Sequence, residues 1–272
     1  MYAAECPVMT NDHGPTRLDG EQTDSSNLTD LGARAFFASL HKALAGTLKD
    51  TCGSPMLIDA LLHQVFDTFD GNLRIQCEDE PELACARGCA FCCSLRVSAT
   101  APEVLLVARY VQALNSRLLE RGMDLIDLIR TTNQKTRGLG ELERVALNVH
   151  CPFAMRGVCV IYPVRPLACR GHASFDRKAC ALAAAGKRDT VPVSPGHQMT
   201  CSLVQNALRS SLRDARLAWN VYDLIHAVVL ALDDPKAEAQ WLDGHDSLAE
   251  AAVFDIPAEE LSAVFEQLRP SA

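Results

Sequence analysis

Nine of the twelve cysteines fall into two groups that are dense enough to bind a metal. Closely spaced thiolates suit soft or borderline metals, because ligands from one turn reach a common centre and a distant segment completes the shell. The spacing therefore predicts a thiolate site that binds zinc or an iron–sulfur cluster of the 4Fe-4S type. The candidate ligands are Cys85, Cys89, Cys92 and Cys93 in the first group and Cys151, Cys159, Cys169, Cys180 and Cys201 in the second.

The rest of the sequence predicts a reducing compartment for this chemistry. Residues Met1 to Gly14 have neither a basic start nor an apolar run, so no secretory signal is predicted and the chain is expected in the cytoplasm. Reducing conditions disfavour a disulfide framework, which leaves metal binding as the interpretation of the clustered thiols. An isolated cysteine is more often a small buried hydrophobe. We interpret Cys6, Cys52 and Cys77, which lie outside the two groups, as free or buried thiols.

The charge of the chain argues against one broad class of function. With a formal net charge of −8 and a pI near 5.5, the protein lacks the clustered positive charge that general nucleic-acid binding requires. No window approaches the roughly 18 consecutive apolar residues of a spanning helix, so membrane insertion is not expected either. Basic residues gather only within or beside the second cysteine group, where they can offset thiolate charge: Arg165, Arg170, Arg177, Lys178, Lys187 and Arg188.

Helical periodicity flanks the two cysteine groups. Apolar residues recur every three or four positions from Phe37 to Leu48 and from Ile58 to Phe69, which predicts two helices paired as a hairpin. Thr100 and Glu103 form a capping-box pattern at the start of a further helix. No strand-like alternation that would build a substantial sheet is found. We therefore predict a mainly α fold with an irregular cysteine-rich segment that is held together by a metal.

Proline and glycine concentrate between Cys151 and Cys201, a composition typical of loops. Before this segment, helices are predicted over Met123 to Thr131 and Leu139 to Val149. After it, apolar residues from Val204 to Leu232 predict one long amphipathic helix. The predicted regions are a flexible N-terminal arm at 1–30, a helical N-terminal region at 31–80, a cysteine-cluster metal-binding domain at 81–202 and a C-terminal helical region at 203–272.

Three motifs within the cysteine groups are distinctive: Cys85-x3-Cys89-x2-Cys92-Cys93, Cys151-Pro-Phe, and Cys159-x-Ile161-Tyr162-x2-Arg165-Pro166-x2-Cys169-Arg170. Together they resemble the YkgJ-type cysteine-cluster family, a zinc- or iron-chelating domain, over roughly residues 85 to 170. A related group methylates lysines of flagellin and is associated with an iron–sulfur cluster. The resemblance therefore implies a metal site and permits, without requiring, a redox or methyltransferase-like enzyme. The commonest family form has two residues between its first cysteines, whereas this sequence has three. Cys85 therefore matches the family spacing less closely than Cys89 does.

The resemblance also orders the candidate ligands. Arg165 and Arg170 flank the Cys169 position, where guanidinium groups would stabilise the negative charge of a thiolate site, and a surface position is the alternative for each. Tyr162 either shields the site or is a core aromatic residue. The best ligand candidates are Cys89, Cys92, Cys159 and Cys169, followed by Cys85, Cys93 and Cys151, with Cys180 and Cys201 as late ligands.

Two details of the ligand set stay open. Adjacent side chains point in different directions, so Cys92 and Cys93 are not expected to serve one centre equally well. Either one of them lies outside the ligand set or there are two metal sites. His172 and His197 stand near cysteines at metal-like spacing, but a lone histidine is more often a surface or hydrogen-bonded residue than a ligand.

Two other functions are compatible with the same cysteines. The spacing Cys85-x3-Cys89-x-Phe91-Cys92 resembles the signature of radical enzymes that cleave S-adenosylmethionine, although that fold needs alternating strands and helices downstream. Alternatively, the site is a structural zinc module that presents helical ends to a partner protein. No catalytic triad, phosphate loop or dinucleotide motif is found, so catalytic residues, a substrate and a protein or small-molecule partner are not identified from sequence.

Overall fold

The computed structural model describes residues 25 to 254 and 257 to 269, and within these ranges the fold is mainly α, as predicted. The helices are joined by two antiparallel ribbons of two strands each. None of the described helices is long and apolar enough to cross a bilayer. The helices are α1 Ser25–Asp50, α2 Leu57–Gln76, α3 Ala101–Leu119, α4 Leu125–Thr136, α5 Glu141–Leu147, α6 Leu167–Gly171, α7 Arg177–Ala184, α8 Pro195–Asp214, α9 Leu224–Asp233, α10 Ala237–Leu242 and α11 Ala258–Leu268, and the strands are β1 Ser98–Thr100, β2 Ala154–Met155, β3 Val158–Cys159 and β4 Val221–Asp223.

The N-terminal helices α1 and α2 pack on each other and on α8, so the predicted hairpin is present. The apolar stripe of α2 from Ile58 to Phe69 is buried in this contact, which is the usual source of stability for an amphipathic helix. Helix α1 begins at Ser25, whereas the sequence predicted a flexible arm as far as residue 30. Residues 1 to 24 of that predicted arm, with Cys6, lie outside the described residues.

Strands β1 and β4 place the starts of α3 and α9 side by side. In their antiparallel register Ser98 faces Asp223 and Thr100 faces Val221. Each strand leads directly into a helix, and α3 and α9 then pack along their lengths. The predicted capping box is confirmed, because the Glu103 carboxylate accepts hydrogen bonds from the backbone nitrogen and hydroxyl of Thr100.

The prediction of one long helix from Val204 to Leu232 is wrong. Helix α8 ends at Asp214, and the chain then turns through Arg216, whose φ of 60° lies in the left-handed region. Asp223 restarts the helix by accepting a hydrogen bond from the backbone nitrogen of His226. Apolar residues continue on both sides of the break, so their periodicity did not reveal it.

Between α5 and α8 the elements are short. This segment contains the ribbon β2–β3, the 3-10 turn Tyr162–Val164, and the helices α6 and α7, the longer of which has eight residues. Helix α6 packs on α8 and thereby attaches the segment to the helical core. The loops predicted from the proline and glycine content are therefore present, and the cysteines of this segment lie in turns and short elements.

Candidate metal centre

Seven of the nine predicted ligands line one cavity of about 470 Å³. They come from the loop after α2, the 3-10 turn Phe91–Ser94, the segment before β2, strand β3 and helix α6. The helices α3, α4 and α5 form the excursion between the two cysteine groups, and the fold returns the second group to the first. The seven are Cys85, Cys89, Cys92, Cys93, Cys151, Cys159 and Cys169.

Two backbone contacts join the two halves of the cavity. The backbone nitrogen of Cys151 donates to the carbonyl oxygen of Cys93 at 2.6 Å. Arg156 and Gly157 form the turn of the β2–β3 ribbon with φ values of 51° and 76°, a conformation that favours glycine. A Cβ at Gly157 would lie 3.3 Å from the Cα of Gly88, so the absence of a side chain lets the turn approach the first cysteine loop.

Cys92 and Cys93 both line the cavity, and the Cys93 thiol lies close enough to influence the ionisation of Cys92. This contact, followed by burial, raises the pKa of Cys92 well above its usual range. Two adjacent thiols therefore reach the same space, which the sequence analysis did not expect.

Burial controls the protonation of the deepest thiols. It raises the pKa of Cys169 to about 12 and also raises that of Cys151. Nearby backbone amides oppose this effect, because those of Phe153 and Ala154 act to lower the pKa of Cys151 and that of Ile161 acts to lower the pKa of Cys159. Without a cation in the cavity, the buried sulfurs are neutral thiols at neutral pH.

The basic residues near the cavity have distinct positions. Arg165 lines the cavity, and its charge favours the thiolate forms of Cys85, Cys92, Cys159 and Cys169. It stacks over Tyr162 at 4.2 Å from the ring centre. Tyr162 also lines the cavity and is 58% exposed, so it is not a core aromatic residue.

Arg170 is neither a surface residue nor part of the cavity lining. Its guanidinium is buried, stacks on Phe66 and forms an ion pair with Asp70. It also donates to the carbonyl oxygens of Pro163 at 2.9 Å and Arg165 at 3.0 Å. Arg170 therefore stabilises the turn that positions Arg165 in the cavity.

The two late ligand candidates lie outside the cavity. Cys180 borders a smaller cavity of about 220 Å³, whose wall also contains Cys92 and His172. Cys201 is fully buried in α8, with its sulfur 3.3 Å from the carbonyl oxygen of Leu167. This placement puts Cys201 in the contact between α6 and α8. His172 lines both cavities, and burial lowers its pKa, which favours the neutral imidazole.

Sequence reasoning missed a separate group formed by Cys77, Glu80 and His197. Their ligand atoms all lie within 4.8 Å of one another, a proximity that no three cavity cysteines reach among the described residues. Cys77 had been interpreted as a free or buried thiol, and Glu80 was not singled out. The spacing Cys77-x2-Glu80 is local, but the approach of His197 depends on the packing of α8 against α2. Of the other two outlying cysteines, Cys52 is exposed and Cys6 lies outside the described residues.

The donor set fits thiolate metal chemistry. Cysteine sulfur with imidazole nitrogen suits zinc and iron–sulfur clusters, whereas magnesium and calcium take oxygen ligands. The cavity lining contains no aspartate or glutamate among the residues that the structure describes. Comparison of the chain with protein-family models, with curated proteins and with solved structures gives no match, so the resemblance to the YkgJ-type family stays a prediction from motifs.

Proposed function

We propose that the protein binds an iron–sulfur cluster in the cysteine-lined cavity. The observation that carries this proposal is the convergence of seven cysteine side chains on one space of about 470 Å³. Thiolates are the usual ligands of such clusters, and four of them complete a 4Fe-4S centre. We assign Cys89, Cys92, Cys159 and Cys169 as the first choice of ligands, with Cys85, Cys93 and Cys151 as the alternatives.

The spread of the sulfurs favours a cluster over a single ion. A tetrahedral zinc ion with bonds of about 2.3 Å to sulfur holds its ligands about 3.8 Å apart. No three of the cavity sulfurs among the described residues lie within 4.8 Å of one another. A centre with several iron atoms spans a larger space and accepts ligands that are farther apart.

The surroundings of the sulfurs also suit an anionic cluster. Arg165 brings positive charge to the cavity, and nearby backbone amides favour the thiolate forms of Cys151 and Cys159. Charge and hydrogen bonds of this kind stabilise thiolate ligands and tune their centre. A bound cluster would supply one-electron transfer. Tyr162, which also lines the cavity, stacks with Arg165 and helps to hold that charge beside the thiols.

The helical fold supports this function over that of a radical enzyme. After Cys93 the chain continues through α3, α4 and α5, and the described strands form only two short ribbons. Radical enzymes that cleave S-adenosylmethionine require repeated strand–helix units. A structural zinc site is the second candidate, favoured by the contact between the thiols of Cys92 and Cys93, because zinc requires closely spaced donors.

Anaerobic purification followed by iron, zinc and acid-labile sulfide analysis tests the proposal. We expect iron and sulfide in equal amounts with visible absorption, both lost in Cys159→Ser and Cys169→Ser and retained in Cys52→Ser, which changes an exposed thiol. Zinc without sulfide, lost in the same two variants, would support the second candidate instead. Folded protein with neither metal in the cavity would overturn both.

A further inference from the structure

Three residues of different types meet where the end of α2 approaches the start of α8. Cys77 directly follows the last residue of α2, Glu80 lies three residues further on, and His197 lies in the first turn of α8. Their ligand atoms are all within 4.8 Å of one another. None of the three lines the cysteine cavity. Cysteine, carboxylate and histidine are the three side chains from which zinc sites in proteins are built.

The distances within this group suit a single ion. Zinc bonds of about 2.3 Å to sulfur and 2.0 Å to nitrogen, at the tetrahedral angle, separate the two donors by about 3.5 Å. The sulfur of Cys77 lies 3.4 Å from Nδ1 of His197. These two side chains therefore have the separation that a shared zinc ion requires.

The absence of a side chain at Gly196 leaves room for the side chains of Cys77 and Glu80. A Cβ at Gly196 would lie 2.7 Å from the sulfur of Cys77 and 2.9 Å from Oε1 of Glu80, so a side chain there would overlap both ligands. The backbone nitrogen of Gly196 donates to the same Glu80 oxygen at 2.6 Å. The carboxylate is thus held in place beside the thiol before any ion binds.

A fourth donor lies next to the group. The hydroxyl of Ser194 donates to Glu80, and its oxygen lies 2.8 Å from Nδ1 of His197 and 3.8 Å from the sulfur of Cys77. Ser194 is fully buried and His197 is 9% exposed, so the histidine side of the group is shielded from solvent. Three ligands with a neutral oxygen beside them correspond to a zinc site that keeps one position for water or a hydroxyl.

We propose that Cys77, Glu80 and His197 form a second metal site, which takes a divalent cation of the zinc class. The bound ion joins the loop after α2 to the start of α8. The same loop continues to Cys85 and Cys89, and the backbone nitrogen of Ala84 donates to Ser174 in the neighbouring segment. The site therefore anchors the base of the first cysteine loop, and it stands independently of which centre occupies the cavity.

Zinc titration of the full chain tests this site, with zinc content and circular dichroism measured for each variant. We expect Cys77→Ser and His197→Gln to bind one zinc ion fewer than the wild type, while Cys52→Ser binds the same number. Loss of a direct ligand should weaken binding by more than the roughly 10–100-fold that loss of a ligand's outer partner causes. Cobalt in place of zinc should show a thiolate charge-transfer band at this site that Cys77→Ser removes.

Two further variants keep the test decisive. Glu80→Gln retains an acceptor for the nitrogen of Gly196 but loses the anionic ligand, so we expect weaker zinc binding with an unchanged helical spectrum. Cys169→Ser should lose the metal of the cavity and keep the zinc of this site, which separates a failure here from a failure of the cavity proposal. Equal zinc content in the wild type, Glu80→Gln and His197→Gln would overturn the proposal and leave the group as a hydrogen-bonded helix cap.

Discussion

The buried carboxylate of Glu103 accepts a hydrogen bond from the backbone nitrogen of Leu167 at 2.7 Å, across 64 residues of sequence. The same carboxylate caps α3 through the nitrogen and hydroxyl of Thr100. Leu167 is the first residue of α6, which carries Cys169. One side chain therefore fixes the start of α3 relative to a helix that bears a candidate ligand.

Replacement of Glu103 by alanine should lower the free energy of unfolding by about 2–5 kcal/mol, because the donors on Thr100 and Leu167 lose their buried acceptor. Metal retention should fall as α6 loses its anchor. Chemical denaturation and metal analysis measure both effects. Glu143→Ala, which removes an exposed cap of Gly140, is the control and should cost only about 0.5–1 kcal/mol. Equal costs would mean that the link to Leu167 adds nothing.

Alanine at Gly196 should destabilise the protein by about 1–3 kcal/mol, since its Cβ would lie 2.9 Å from the carbonyl oxygen of Gln76 as well as against Cys77 and Glu80. Gly46→Ala is the matched control, because that glycine lies inside α1 with no atom within 4 Å of a Cβ. It should raise stability by about 0.5–1 kcal/mol through helix propensity. Thermal and chemical unfolding of the two variants should shift in opposite directions, and a parallel shift would contradict the close packing at Gly196.

The ion pairs of Asp214, the last residue of α8, should make the free energy of unfolding depend on pH in the acid range. Burial acts to raise the pKa of Asp214, but Arg269 and Arg213 outweigh it, and the pKa is lowered. Since the folded pKa lies below the unfolded value of about 3.9, the stabilisation is present above that pH and is lost as pH falls through the folded pKa.

Asp214→Asn should remove this dependence and cost at most about 1 kcal/mol at neutral pH, because the pair is partly exposed to solvent. Unfolding curves between neutral and acid pH measure the difference. Asp233→Asn, which breaks an exposed pair with Arg130, serves as the comparison for the loss of a surface ion pair. Wild-type and Asp214→Asn curves that stay parallel down to acid pH would contradict the pairing.

Removal of metal from the cavity should loosen residues 148 to 194 while the helical core stays folded. Structural zinc binding contributes about 10–16 kcal/mol in small modules, whereas a whole domain is stable by only about 5–15 kcal/mol. The elements of this segment are short, and local opening concentrates in such regions. Limited proteolysis with and without a chelator, alongside circular dichroism, tests this. Cleavage within α2 or α8 after metal removal would contradict a separate helical core.

The sequence by itself determined those features that depend on neighbouring residues. The stripe from Ile58 to Phe69 predicted α2, and Thr100 with Glu103 predicted the start of α3, because helix periodicity and capping act within a few residues. The density of cysteines within each group likewise predicts a thiolate site, which stays a prediction. The break between α8 and α9 was missed because it depends on the pairing of β4 with β1, which lies on the far side of the cysteine segment.

Only the tertiary structure decided which distant residues meet. It brings Cys89 and Cys169 to one cavity but leaves Cys201 in the contact between α6 and α8. It also places Cys77 beside His197, although 120 residues separate them. Spacing along the chain specifies which ligands a single turn can offer. The meeting of ligands from distant turns depends instead on how the apolar faces of α2 and α8 pack, and that packing is a property of the whole core.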